Sequence, residues 1–110
     1  MILFKQEHKP MILDGRKTQT RRTGKKRWIV GSIHQAKTGF KKDDVFASLR
    51  ILGVRRERLG DISEADARAE GYDSIEEYKK VFVWIYGKWL ADEDVWVVDF
   101  EKVDKEKAAT

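Results

Sequence analysis

Asp14-Gly15-Arg16-Lys17-Thr18-Gln19-Thr20-Arg21-Arg22 opens a run that reaches Arg27 with seven Lys or Arg and no acid after Asp14. Positive charge this dense repels itself, so the run marks a place where an anion, most often phosphate, is the expected counterpart. Thr18 and Thr20 lie inside it. Their short hydroxyl side chains can bind phosphate oxygens or, beside a lysine, become nucleophiles.

The run is delivered by the segment before it, Glu7-His8-Lys9-Pro10-Met11-Ile12-Leu13-Asp14-Gly15. Proline near a first helical position and glycine just past the end predict a helix of one or two turns. Gly15 then turns the backbone of residues 16–22 away from the helix axis. Lys17 and Thr20 are three apart, and on a regular strand such residues point to opposite faces. They converge only if the segment bends or bulges.

Working outward, Ile2-Leu3-Phe4 suits a short buried strand. Residues 23–42 are punctuated by Gly24, Gly31 and Gly39, and only Trp28-Ile29-Val30 and Ser32-Ile33 look strand-like. This predicts an irregular or hairpin-like excursion, followed by a turn at residues 40–44. Residues 45–54 (VFASLRILGV) are apolar and β-branched, with Gly53 as a bulge or bend, and Arg55-Arg56-Glu57-Arg58-Leu59 continues as an exposed edge.

Two helices follow. Ser63 caps the first, with Ile62 before it, Asp66 three residues on and Gly71 at the close. Ser74-Ile75-Glu76-Glu77 is a capping box, and Ile75, Tyr78, Phe82, Ile85 and Trp89 make one apolar stripe. Residues 94–103 (DVWVVDFEKV) read as a strand buried on both faces. Strands split around helices without regular alternation predict an α+β fold.

The 110 residues, 41% hydrophobic and 11% aromatic, predict a single domain at 1–103 with a disordered tail at 104–110. Charged residues make up 38%, mean hydropathy is -0.62, and no apolar run approaches the roughly 20 residues that span a bilayer. A soluble protein that uses no membrane is expected. The absence of cysteine and of a signal-like start at Met1 to Lys5 predicts a cytoplasmic location. Residues 1–58 hold sixteen bases and five acids, whereas residues 59–110 hold seven and fourteen. This predicts a polarised molecule with a basic face from the first half; the alternative is that the two halves interleave.

No glycine loop leads into Lys-Ser/Thr, and Gly24-Lys25-Lys26 lacks the flanking residues a phosphate loop needs. Without cysteine, and with His8 and His34 far apart, neither a metal nor another cofactor is expected. The histidines are expected on the surface or in packing. Glu70 is mildly conspicuous, because a carboxylate in the last turn of a helix is disfavoured unless a cation lies near.

Phe4, the short helix and Gly15 to Arg22 together resemble the opening signature of the ASCH domain, a member of the PUA-like superfamily. Gly60-Asp61-Ile62-Ser63-Glu64-Ala65-Asp66-Ala67 with Ala69-Glu70-Gly71-Tyr72 resembles its second signature, and the last strand fits too. The resemblance implies a small β-barrel with helices packed around it, and a cleft beside the first motif that binds RNA or a nucleotide. Some small bacterial members deacetylate 4-acetylcytidine with a lysine, a threonine and a glutamate. Carried across, these are Lys17 accepting a proton, Thr20 as nucleophile and Glu70 donating a proton. Neighbouring Arg16, Arg21 and Arg22 should lower the Lys17 pKa by like charge.

The expected nucleic-acid contacts are Arg16, Lys17, Thr18, Thr20, Arg21, Arg22, Lys25, Lys26, Arg27 and Trp28. The excursion at 23–39 is longer and more basic than in the compact bacterial enzymes, which favours a polymeric partner over a free nucleoside. Trp28 stands equally as a base-stacking platform or a core anchor.

Overall fold

The computed structural model describes residues 1–103, so the tail expected at 104–110 lies outside the described residues. Five strands, β1 (Ile2–Leu3), β2 (Gln19–Arg22), β3 (Ile33–Lys37), β4 (Val45–Arg58) and β5 (Asp94–Val103), form one sheet. Its order is β1-β3-β4-β5-β2, with β1 parallel to β3 and every other pair antiparallel. Three helices, α1 (His8–Leu13), α2 (Glu64–Ala69) and α3 (Ile75–Tyr86), complete the α+β fold.

β5 is the spine because its neighbours in sequence serve opposite faces. Val95 and Val97 pack with Leu59, Ile62, Ala67, Tyr72 and Tyr78, while Val98 and Phe100 pack with Ile2, Phe4, Ile12, Leu49 and Ile51. Each such side chain contributes roughly 1.5–3 kcal/mol by leaving water. The expectation of a strand buried on both faces holds.

β4 pairs with β3 through Val45 to Arg50 and with β5 from Ser48 to Arg58, with a register shift between Ile51 and Gly53. Its second half therefore has a strand on one side only among the described residues, as the charges at residues 55–58 suggest. The outer strands β1 and β2 approach each other: Arg22 on β2 donates from Nη2 to the carbonyl oxygen of Leu3 at 2.6 Å. The sheet is thus curled into a half-barrel. A cleft opens where its two ends meet.

Three expectations need correction. Trp28-Ile29-Val30 is not a strand, because the ladder to β4 begins only where Gly31 N donates to Ile51 O and Ile51 N donates to Ser32 O. The strand is Ile33–Lys37 instead. α3 stops at Tyr86 because Gly87 takes the left-handed conformation at φ 87, so Trp89 packs on Tyr78 and Phe82 from outside the helix.

The third concerns charge. Acids of the second half pair with bases of the first across neighbouring elements: Arg21 with Asp66 and Glu70, Arg50 with Glu101, Arg55 with Asp66 and Asp99, Arg58 with Asp92. At these contacts the two halves interleave, so their charges are not fully separated.

Candidate nucleotide cleft

Residues 16–18 are irregular and are held by three separate elements. The Lys17 amide donates to Met11 O at 3.0 Å, the Thr18 amide donates to Ala69 O at 2.7 Å, and Thr18 O accepts from the Phe100 amide at 2.9 Å. Gly71 allows the end of α2 to sit this close. With φ at 106° it adopts a backbone that other residues resist, and a Cβ there would lie 2.7 Å from Met11 Sδ and 3.5 Å from Lys17 Cβ. Because Lys17 precedes the regular strand, its side chain is freed from strand alternation and can share a cavity with Thr20.

Lys17 is 2% exposed and Glu70 3%. Lys17 Nζ donates to Glu70 Oε1 at 3.1 Å, to Gln19 O at 2.9 Å and to Glu70 O at 3.3 Å, which uses all three of its protons. The other carboxylate oxygen, Glu70 Oε2, accepts from Arg21 Nη1 at 3.2 Å. The cation that the position of Glu70 called for is therefore present twice.

Burial pushes the Lys17 pKa down, Arg22 and Arg21 push the same way, and Glu70 opposes them. The direction is the one expected, but the main cause is burial. Arg16 takes no part, because its guanidinium pairs with Asp14 at 2.9 Å in solvent.

Arg21, expected to contact nucleic acid, is instead the hub of a buried ionic network. Its guanidinium reaches Glu57, Asp66 and Glu70, each at 3.2 Å, and also donates to the Gln19 side chain. Burial works against its charge, yet Glu70 and the other acids hold its pKa above the ordinary value. Its Nε is buried without a partner among the described residues.

Thr20 is 5% exposed, and its Oγ1 accepts from Arg22 Nε at 3.2 Å. Arg22 lies over the Phe4 ring at 5.0 Å and has no carboxylate within ion-pair distance among the described residues. Lys17, Thr20, Arg22 and Glu70 all face a cleft of about 520 Å³. Aromatic side chains line it as well: Tyr78, Phe82 and Tyr86 from α3, together with Tyr72, Phe4 and Phe40.

His8 belongs to this wall, hydrogen-bonded through Nε2 to the Tyr72 hydroxyl at 2.8 Å. Burial lowers its pKa from 6.5 to about 4, with Lys17, Arg22 and Lys5 adding to the effect. Burial also raises Tyr72 to about 12. The unfolded chain thus binds a proton on His8 more readily than the folded one between these two histidine values. The contribution is present above pH 6.5 and is lost as pH falls toward 4. Acidification from neutrality to about pH 4.5 should cost the wild type roughly 2–3 kcal/mol more than a His8→Asn variant. Urea unfolding at both pH values measures this, and equal losses would show that His8 is not held neutral.

The remaining expected residues lie elsewhere. Thr18 is exposed and is used through its backbone. Lys25, Lys26 and Arg27 are exposed and do not line the cleft. Trp28 is 7% exposed in the core with Phe4, Leu49 and Phe100, so of its two alternatives the structure takes the core anchor and it offers no stacking face. Sequence reasoning missed His8 and the aromatic wall. The α3 stripe read only as core, although part of it lines a cavity.

Among the described residues no three His, Asp or Glu side chains are grouped to hold a metal ion, and no helix is long and apolar enough to cross a membrane. No protein-family profile matches the sequence, and no curated protein does. Solved structures do match. An ASCH domain from Lactobacillus crispatus JV V101 has a TM-score of 0.70 at 15% identity, over 86% of this chain and 69% of that one. A DUF984 protein of Enterococcus faecalis V583 has a TM-score of 0.71 at 21% identity, over 100% and 82%. The ASCH protein of Zymomonas mobilis has a TM-score of 0.66 at 13% identity, over 92% and 67%. With the curled five-stranded sheet, its flanking helices and these structural neighbours, the chain has the α+β half-barrel fold seen in these ASCH-domain structures.

Proposed function

We propose that the cleft holds one nucleotide of an RNA strand, with its base against Tyr78 and Phe82 of α3 and its phosphate at Arg22. The observation that carries this is the pairing of an aromatic wall with a polar floor on which Arg22 has no carboxylate within ion-pair distance among the described residues. A flat ring gains from stacking and from hydrogen bonds to a fixed polar floor. Arg22 matches phosphate oxygens with two parallel N–H groups. Lys25, Lys26 and Arg27 add affinity along the strand without selecting a sequence.

RNA affinity should therefore fall with salt, with a slope of about -0.7 per neutralised phosphate. Replacing Lys25, Lys26 and Arg27 together by alanine should flatten that slope by about 2 while leaving mononucleotide affinity unchanged. Titrations at two salt concentrations check both. No binding at low salt would overturn the proposal.

We also propose a second function, hydrolysis of an acyl amide on a modified cytidine, which the presence of Lys17, Thr20 and Glu70 in the lining of one cleft supports. Lys17 first gives a proton to Glu70 across their 3.1 Å contact, and the neutral amine then takes the hydroxyl proton as Thr20 Oγ1 adds to the amide carbonyl. The protonated Glu70 gives its proton to the departing base nitrogen, which restores the ion pair. Water then releases the acyl group from Thr20 as the acid. The lowered pKa of Lys17 supports its role as base. Incubation with 4-acetylcytidine should yield cytidine and acetate, and Thr20→Val should yield none. An unchanged substrate after overnight incubation with micromolar protein rejects this substrate.

A further inference from the structure

Phe40 is 78% exposed and Tyr86 62% exposed, and both line the cleft. A single exposed aromatic is ordinary, but two on the rim of one cavity leave a large apolar area in water beside a polar floor. Neither is on a loose tail. Phe40 sits on a turn braced by Asp44, whose carboxylate accepts from the Lys41 amide at 3.0 Å and whose carbonyl accepts from the Thr38 amide at 3.1 Å. The Phe40 carbonyl also accepts from Lys37 Nζ at 3.4 Å. Tyr86 is the last residue of α3, with its ring 4.5 Å from that of Phe82 at an interplanar angle of 40°. The two rings are thus presented from different elements, β3–β4 turn and helix end.

We propose that Phe40 and Tyr86 are stacking platforms for the bases on either side of the inserted nucleotide, so that the cleft takes single-stranded RNA in preference to a free nucleoside or a duplex. This rests on the nucleotide-binding proposal above and goes beyond it by naming how the neighbours are held. Bases splayed from a single strand expose both faces and can stack on such rings, whereas bases in a duplex are already stacked on each other. Lys5 on the cleft wall and Lys41 and Lys42 next to Phe40 have no carboxylate partner among the described residues, which suits the backbone of the same strand. Stacking on aromatic rings accepts any base, so these residues supply strand preference and little sequence preference.

The test compares cytidine 5′-monophosphate, a single-stranded pentanucleotide with cytidine at its centre, and the same pentanucleotide annealed to its complement. Wild type should bind the single strand at least about tenfold more tightly than either other probe. Phe40→Ala and Tyr86→Ala should each cost roughly tenfold for the single strand and leave the mononucleotide unchanged. Phe40→Trp should retain single-strand affinity. Both side chains are exposed, so the variants keep the fold, which circular dichroism verifies. If the variants leave single-strand binding unchanged, or weaken the mononucleotide equally, the stacking role is wrong while nucleotide binding stands. If wild type binds none of the three, both fail.

Discussion

Glu70→Ala should lower stability by roughly 3–5 kcal/mol, because it leaves two buried cations facing the space of one carboxylate. Lys17 would retain only the carbonyls of Gln19 and residue 70, and Arg21 would lose its contact with Oε2. At about 4 °C per kcal/mol for a chain of this size, the melting temperature should fall by roughly 10–20 °C. Glu70→Gln should be similarly costly, since a neutral amide cannot compensate both charges. The double variant Lys17→Met/Glu70→Leu should lose far less than the sum of its single changes, as removing both partners leaves no orphaned charge at that contact. Urea unfolding of the four proteins measures this. Additive losses would mean the two side chains do not form the buried pair.

Arg22→Ala should have the largest effect on ligand affinity. A charge-assisted contact to phosphate is worth roughly 1.5–3 kcal/mol, which is about tenfold to a hundredfold in affinity. Arg21 is already engaged by Glu57, Asp66 and Glu70, and Lys17 by Glu70, so neither of these two buried cations can substitute. The loss should appear for mononucleotide and RNA alike, unlike the loss from the Lys25 to Arg27 arm. Arg22→Lys should recover part of it, because the charge returns without the planar fork. A stability cost of about 1–3 kcal/mol should accompany the alanine change, since Leu3 O loses its partner where the sheet ends meet. Isothermal titration calorimetry and urea unfolding separate the two effects. Unchanged mononucleotide affinity would remove Arg22 from the site.

Much of this fold was legible because local signals and tertiary structure agree. Ser63 and Ser74 accept from the amides of Asp66 and Glu77 as their spacing predicts, and β5 spans residues 94–103 as its apolar alternation does. The parallel pairing of β1 with β3 was not legible, because nothing in Ile2-Leu3 says which distant strand it will join. Glu70 could be singled out from helix-end electrostatics, yet its closeness to Lys17 depends on Gly71 packing against Met11 from another helix. The basic run misled in one respect. Seven neighbouring cations look alike in sequence, but burial separates Arg21, locked among acids, from Arg22, which is left facing the cleft, and from Arg16 and the Lys25 to Arg27 arm in solvent. Trp28 and the α3 aromatics show the same limit, since an apolar stripe does not reveal whether it meets a core or lines a cavity.

Amide chemical-shift mapping with cytidine 5′-monophosphate tests the central claim most directly, because it reports where a nucleotide sits independently of how tightly it binds. The expected changes cluster at residues 20–22, 70–72 and 78–82 on the cleft walls, with residues 25–27 unaffected by the mononucleotide. Changes confined to residues 25–27, with the cleft silent, would show that the Gly15 to Arg22 motif builds a structural ionic core and that the binding surface lies elsewhere.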